Sequence, residues 1–206
     1  VLDDKEFAPP SDGFYVTDAF TDYAVQYLNK QKQESADKPF FMYLAYTAPH
    51  FPLHAYESDI AKYEKLYAQG WDVTRSKRYQ KMKQLGFIDK RYPLTPRPKD
   101  IPDWESATEK AQWIRKMAVY AAMIDRMDQN IGRLIKTLKA NGQYDNTLIV
   151  FMSDNGSSNE NVEGRKLNDP NKKSVNEALM LPTIRLGPMS RTRRSENINV
   201  SYTKEG

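Results

Sequence analysis

Two short segments carry side chains that could do chemistry together. The first is Thr47-Ala48-Pro49-His50-Phe51-Pro52-Leu53-His54, which contains both of the chain's 2 histidines. The second is Ser153-Asp154-Asn155-Gly156. An imidazole can give or take a proton near neutral pH. A carboxylate beside an amide oxygen offers hard donors, suited to Ca²⁺ or Mg²⁺ rather than to zinc. Each segment also has an ordinary reading. Asp-Asn-Gly after a strand commonly makes a simple turn, and a histidine after proline in a loop is often structural or merely exposed.

Composition narrows the classes. Lys plus Arg is 31 against 27 Asp plus Glu, a net charge of +4, and 39% of the residues are apolar. That describes a globular domain with a core and argues against a nucleic-acid protein; it suits an anionic ligand weakly. With 0 cysteines, disulfides and thiolate metal sites are excluded, and redox chemistry identifies no compartment. The longest apolar stretch, residues 40–46, is far below the roughly 20 residues of a membrane helix, so no membrane span is expected. Val1 opens without Met or a signal peptide, which reads as an internal or processed start.

The elements that must position these segments follow from periodicity. Phe20, Ala24, Tyr27 and Leu28 recur on one helical face from Asp18, with Thr17 or Asp18 as N-cap and fading near Lys32. Residues 39–46, Pro-Phe-Phe-Met-Tyr-Leu-Ala-Tyr, read as a strand buried on both faces, as does Leu148-Ile-Val-Phe-Met152. Helical fragments are expected around 57–69 and 74–85. Prolines at 93, 96, 98 and 102 mark an extended surface excursion. The longest helix should run from about Thr108 to Ala140. Its apolar stripe is Met117, Tyr120, Ile124, Met127, Ile131, Leu134 and Leu138, with Ser106 and Glu109 as a capping box and Asn141-Gly142 as the stop. Strand, helix and strand in this order predict a right-handed βαβ unit with parallel strands and an α/β fold. Ligands then bind beyond the carboxyl ends of the strands, where His50 and Asp154 both fall. Beyond Ser157 the chain is loop-like apart from Ala178 to Leu186.

The segments PFFMYLAYTAPHFPLHA, YAQGWD and MAVYAAMIDRMDQNIGRLIKTLKANGQYDNTLIVFMSDNG resemble, in this order, the central part of a formylglycine-type sulfatase of the alkaline phosphatase superfamily. FYVTDAFTDYAVQYL resembles the helix that precedes the first strand. The likeness covers residues 14–156 and is weak afterwards. It implies an α/β sandwich, a mostly parallel sheet flanked by helices, with residues 1–206 forming an incomplete catalytic domain. It also implies hydrolysis of sulfate esters on a sulfated small molecule or glycan, in a periplasmic, extracellular or lysosomal setting.

Carried across by position, Asp154 and Asn155 match the family's metal pair, with Ca²⁺, or Mg²⁺, as the ion. His50 matches the histidine that contacts the sulfate and helps protonate the leaving oxygen. His54 stands where relatives often carry Gln, which makes it a pocket-lining candidate. Lys204, in Tyr202-Thr-Lys-Glu-Gly206, falls near the expected place of the family's active-site lysine. Asp125, Arg126 and Asp128 read as fold-supporting salt links. The departures are equally specific. The C/S-x-P-x-R motif that yields formylglycine is absent, and Gly187-Pro-Met-Ser-Arg191 has the wrong spacing. Val1-Leu2-Asp3-Asp4 mimics the upstream metal pair but sits too close to FYVTDA. Two other readings stay open: a phosphatase or phosphodiesterase of the same superfamily, and a non-catalytic fragment.

Overall fold

In the computed structural model the described residues are 3–10 and 13–156. Four α-helices organise them: α1 (Val16–Glu34), α2 (Glu57–Tyr67), α3 (Gly70–Gln84) and α4 (Lys110–Ala140), followed by a 3₁₀ turn at Tyr144–Asn146. The body is α4 with α1 and α2 packed along it.

Its core is small. Ala55, Ile60, Ala118, Val119, Ala122 and Met123 are buried together, with Leu53, Ala48, Tyr63 and Tyr67 against them. Alanines on α4 let α2 approach closely, so β-branched Val119 and Ile60 fill what remains. Beside this core a polar layer joins three helices. Asn130 donates to Asp18 at 2.6 Å, Arg126 pairs with the buried Asp59 at 2.8 Å, and Lys62 bridges Asp59 and Asp125 at 2.9 Å each. Asp125 and Arg126 thus form salt links as their sequence suggests, whereas Asp128 forms none among the described residues. A buried carboxylate is tolerable only when paired this fully.

Several expectations about the helices are corrected. The α1 N-cap is Tyr15, two or three residues before the expected Thr17 or Asp18, and its buried stripe is Thr17, Thr21, Ala24 and Leu28, with Tyr27 left exposed. The threonines reach the core because Thr21 Oγ1 bonds the Thr17 carbonyl at 3.2 Å and the Tyr46 hydroxyl at 2.7 Å. The capping box before α4 does not form. Ser106 is held by Asp103, through its N–H and its hydroxyl at 2.8 Å each, and Glu109 takes the cap position at φ 54°. The stop at Ala140 is borne out: Gly142 N–H bonds the Lys139 carbonyl at 3.0 Å and Gln143 N–H that of Leu138 at 2.9 Å, a Schellman ending with Gly142 at φ 68°.

The larger correction concerns the sheet. Residues 39–46 and 148–152, expected to be strands, carry no regular secondary structure and neither is paired in a ladder, so no βαβ unit and no strand exists among the described residues. Phe41 is 93% exposed and Leu148 88% exposed, the reverse of a strand buried on both faces. The apolar stripe of α4 is borne out only in part: Leu138 is buried and Tyr120, Met127, Ile131 and Leu134 are half-buried, but Met117 and Ile124 are exposed, and the face against α2 is Ala118, Val119, Ala122 and Met123. At 100° per residue the two faces lie about a third of a turn apart. The helical residues α1 and α2 bring satisfy one face of α4. A buried parallel strand needs a neighbour on each side, and the described residues supply none.

Between α2 and α4 the chain makes a separate arm. α3 leads out and residues 85–104 return along it. Arg75 holds Thr95 at 2.6 and 2.7 Å, the Tyr79 hydroxyl donates to the Tyr92 carbonyl at 2.5 Å, and Arg97 pairs with Asp72 at 2.7 Å. At its base Trp71 stacks edge-on against Trp104 and Trp113, with ring centroids 4.7 and 6.1 Å apart. Gly70 is required there: its φ is 84°, and a Cβ would lie 2.2 Å from the Trp104 ring.

Candidate functional site

The His50 loop is built on the core. Ala48 and Leu53 pack against it, Ala55 is part of it, and the Tyr15 hydroxyl donates to the His54 carbonyl at 2.8 Å. Burial pushes the Tyr15 phenol up to about 12, with Thr17 opposing, so this donor keeps its proton throughout the working pH range. The Ala48–Pro49 and Phe51–Pro52 bonds are both cis. His50 N–H closes a turn on the Thr47 carbonyl at 2.9 Å, which leaves the imidazole exposed at the apex.

One ring contact settles a chemical detail. His50 Nδ1 lies 2.5 Å from the Phe51 carbonyl oxygen. A carbonyl only accepts, so Nδ1 carries the hydrogen of this contact and Nε2 is the ring nitrogen left at the loop's exposed apex. His54, four residues on, is half-buried and contributes its carbonyl to the Tyr15 bond.

Asp154 and Asn155 follow the run 148–152 and are exposed. Ser153 Oγ donates to the Asn155 carbonyl at 2.7 Å, and Asn155 Nδ2 to the Gly156 carbonyl at 2.7 Å. The amide nitrogen is thereby turned to the backbone and Oδ1 is left as an acceptor. Together with the Asp154 carboxylate this is a hard-oxygen donor pair that fits a Ca²⁺ or Mg²⁺ ion in kind. It does not fit in number: Ca²⁺ takes roughly 6–8 oxygens, and no group of three or more potential ligands occurs among the described residues.

No hydrogen bond or ion pair among the described residues links His50 to Asp154 or Asn155. Lys204 lies outside the described residues. Sequence reasoning missed Tyr15, which holds the loop bearing both histidines, and Asp59, the buried anion that α2 and α4 share. Asp59 in Glu57-Ser-Asp-Ile60 reads like any exposed helix-start carboxylate. The one available signal is Tyr15 standing directly before a helix.

The comparisons agree with this arrangement of segments. The Sulfatase family model matches residues 2–196. An uncharacterized sulfatase of Schizosaccharomyces pombe is 41% identical over 156 residues, covering 73% of this chain and 27% of that protein. An arylsulfatase of Klebsiella aerogenes is 39% identical over 157 residues, covering 75% and 33%. A multifunctional alkaline phosphatase superfamily protein of Trinickia caryophylli is 31% identical over 147 residues, covering 66% and 26%. The chain therefore spans about a third or less of the length of these relatives. The family uses a metal ion and a formylglycine, acts on sulfated substrates and has an α/β fold. No helix among the described residues is long and apolar enough to cross a membrane. A match over nearly the whole sequence, together with relatives 39–41% identical over most of this chain, places it in the sulfatase family.

Proposed function

We propose that this chain is a central portion of a sulfatase catalytic domain and that the whole protein hydrolyses sulfate esters. The observation that carries the reading is the family match over residues 2–196. In it, residues 39–47 and 147–153 become adjacent parallel strands of an α/β sandwich. His50, Asp154 and Asn155 then meet at the carboxyl edge, since neighbouring strands lie roughly 4.8 Å apart.

In the whole protein a formylglycine residue, made from a Cys or Ser outside this chain, would supply the nucleophile, and a bound Ca²⁺, or Mg²⁺, would offset charge on the sulfate oxygens. Asp154 and Asn155 Oδ1 would hold that ion from this side. His50, charged at Nε2, gives its proton to the departing ester oxygen, and the Phe51 carbonyl keeps its ring in place. His54 lines the pocket and Lys204 contacts the anion. The substrate is a sulfated small molecule or glycan, met in a periplasmic, extracellular or lysosomal setting.

The test is hydrolysis of an aryl sulfate by the whole protein. His50→Ala should lower kcat by about 10²- to 10⁴-fold, and Asp154→Ala should abolish turnover with loss of bound metal. The 206-residue chain alone should be inactive, since it has 0 cysteines and no serine in the C/S-x-P-x-R pattern. Turnover by this chain, abolished by His50→Ala, would mean the chemistry has been misplaced. A second reading, phosphate ester or diester hydrolysis at the same edge, is favoured by the likeness to the Trinickia caryophylli protein. A phosphate ester hydrolysed faster than the aryl sulfate would select it.

A further inference from the structure

The arm carries a charge out of proportion to the rest of the chain. Residues 70–99 hold nine Lys or Arg and two Asp, a net charge of +7, although the whole chain is only +4. The remaining residues are therefore net −3, and the basic charge is concentrated in one appendage. Within it, Arg97 is neutralised by Asp72, and Arg91 is beside Asp89 at 3.3 Å. Lys77, Lys81, Lys90 and Lys99 are exposed and form no ion pair among the described residues.

The geometry explains why the charge faces outward. α3 buries only Gly70 and has no apolar face, so packing against a core does not account for its sequence. It is held by Arg75 and Tyr79, which grip the return limb on one side. At 100° per residue, Lys77 and Lys81 fall on roughly the opposite side. These two like charges sit four residues apart, an arrangement that weakens a helix in the absence of an anion. The 15-residue helix is about 22 Å long at 1.5 Å per residue. That is several times the width of one sulfate group, so the surface fits a chain bearing many anions. Phe87 and Tyr92, both exposed, lie among the lysines and offer apolar faces to sugar rings.

We propose that the arm formed by α3 and residues 85–99 is a docking surface for a sulfated polysaccharide. It is distinct from the residues assigned to hydrolysis, and holds the polymer by a ladder of lysines. The choice of sulfate as the anion rests on the sulfatase reading above. The binding itself involves no turnover, so the two can fail separately.

The experiment measures binding of the full chain to dextran sulfate, unsulfated dextran and double-stranded DNA, at low and moderate salt. Dextran sulfate should bind and weaken as salt rises, and unsulfated dextran should not bind. Lys77, Lys81, Lys90 and Lys99 changed together to Gln should weaken binding by about tenfold or more. The control changes Lys30, Lys32, Lys136 and Lys139 to Gln, the same loss of charge outside the arm, and should bind as the parent does. Circular dichroism on both variants establishes that the helices are retained. Equal weakening in the two variants would overturn the proposal in favour of diffuse net charge. Absence of dextran sulfate binding would overturn it outright, and DNA bound as tightly as dextran sulfate would overturn the assignment to a sulfated glycan. If aryl sulfate hydrolysis fails in the whole protein while this binding pattern holds, the sulfatase reading falls and the polyanion surface stands.

Discussion

The two halves of the proposed site are held in different ways. The His50 loop is clamped at four points, by Ala48, Leu53 and Ala55 in the core and by Tyr15 at the His54 carbonyl. Among the described residues the Asp154 turn has only its own short bonds, Ser153 to Asn155 and Asn155 to Gly156, at the end of a run whose Phe151 is 72% exposed. Helices satisfy their own backbone and need only one buried face, so α1, α2 and α4 assemble from local chain. A strand satisfies neither its backbone nor its faces without neighbours. The His50 loop is thus held by packed helices, whereas residues 153–156 have no such support among the described residues.

The largest effect should come from the charge buried beneath the His50 loop. Asp59→Ala leaves Arg126 and Lys62 without their shared anion, and should cost about 3 kcal/mol in urea unfolding. A loss below ~0.5 kcal/mol would show that the polar layer is not what joins α2 to α4.

Somewhat smaller, Ile60→Ala removes a fully buried side chain from the cluster holding Leu53 and Ala55, at a cost of about 2–4 kcal/mol. Amide exchange separates the two regions. Protection should fall at residues 50–55 and stay unchanged at 153–156. An equal change in both would break the contrast.

Acid sharpens the same point. Burial opposes ionisation of Asp125, but Gln129, Lys62 and Tyr63 outweigh it and hold its carboxyl below the ordinary 3.8. A depressed carboxyl contributes stability that is present above its unfolded pKa and lost as pH falls through its folded one. Stability should therefore decline as pH drops below about 4, and Asp125→Asn should flatten that decline. An unchanged acid limb in the variant would remove Asp125 from the account.

Next, Tyr15→Phe deletes the bond to the His54 carbonyl and should cost about 1 kcal/mol. In the whole enzyme it should disturb the His50 loop without affecting metal content. The smallest effect belongs to the other region. Asp154→Ala and Asn155→Ala should each change the stability of this chain by less than ~0.5 kcal/mol, because both are exposed and touch only their neighbours. A larger loss would mean that the turn is already anchored.

Much of this was legible. The period of 3.6 placed all four helices within a few residues, and Asn141-Gly142 fixed the end of α4, because these signals depend on residues within one or two turns. The likeness of residues 14–156 to sulfatases identified the family, since a long ordered match is specific where a lone Asp-Asn-Gly is not. The lack of pairing at 39–46 and 148–152 was not legible, because a ladder is a property of two or more segments and no single run encodes its partner.

Tertiary structure alone decided which stripe of α4 is buried. The sequence offers two: large Met117, Tyr120 and Ile124, and small Ala118, Ala122 with Val119. The larger residues read as the core face, yet the small ones are covered, since only they let α2 come close enough to enclose Ile60. It also decided that Asp59 is a buried anion and that Tyr15 braces the histidine loop, because these roles depend on residues 67 and 39 positions away. The types of side chain that can do chemistry were fixed by the one-dimensional order. Which of them stand on a finished support was set by packing, which the local chain completes for helices and leaves open for strands.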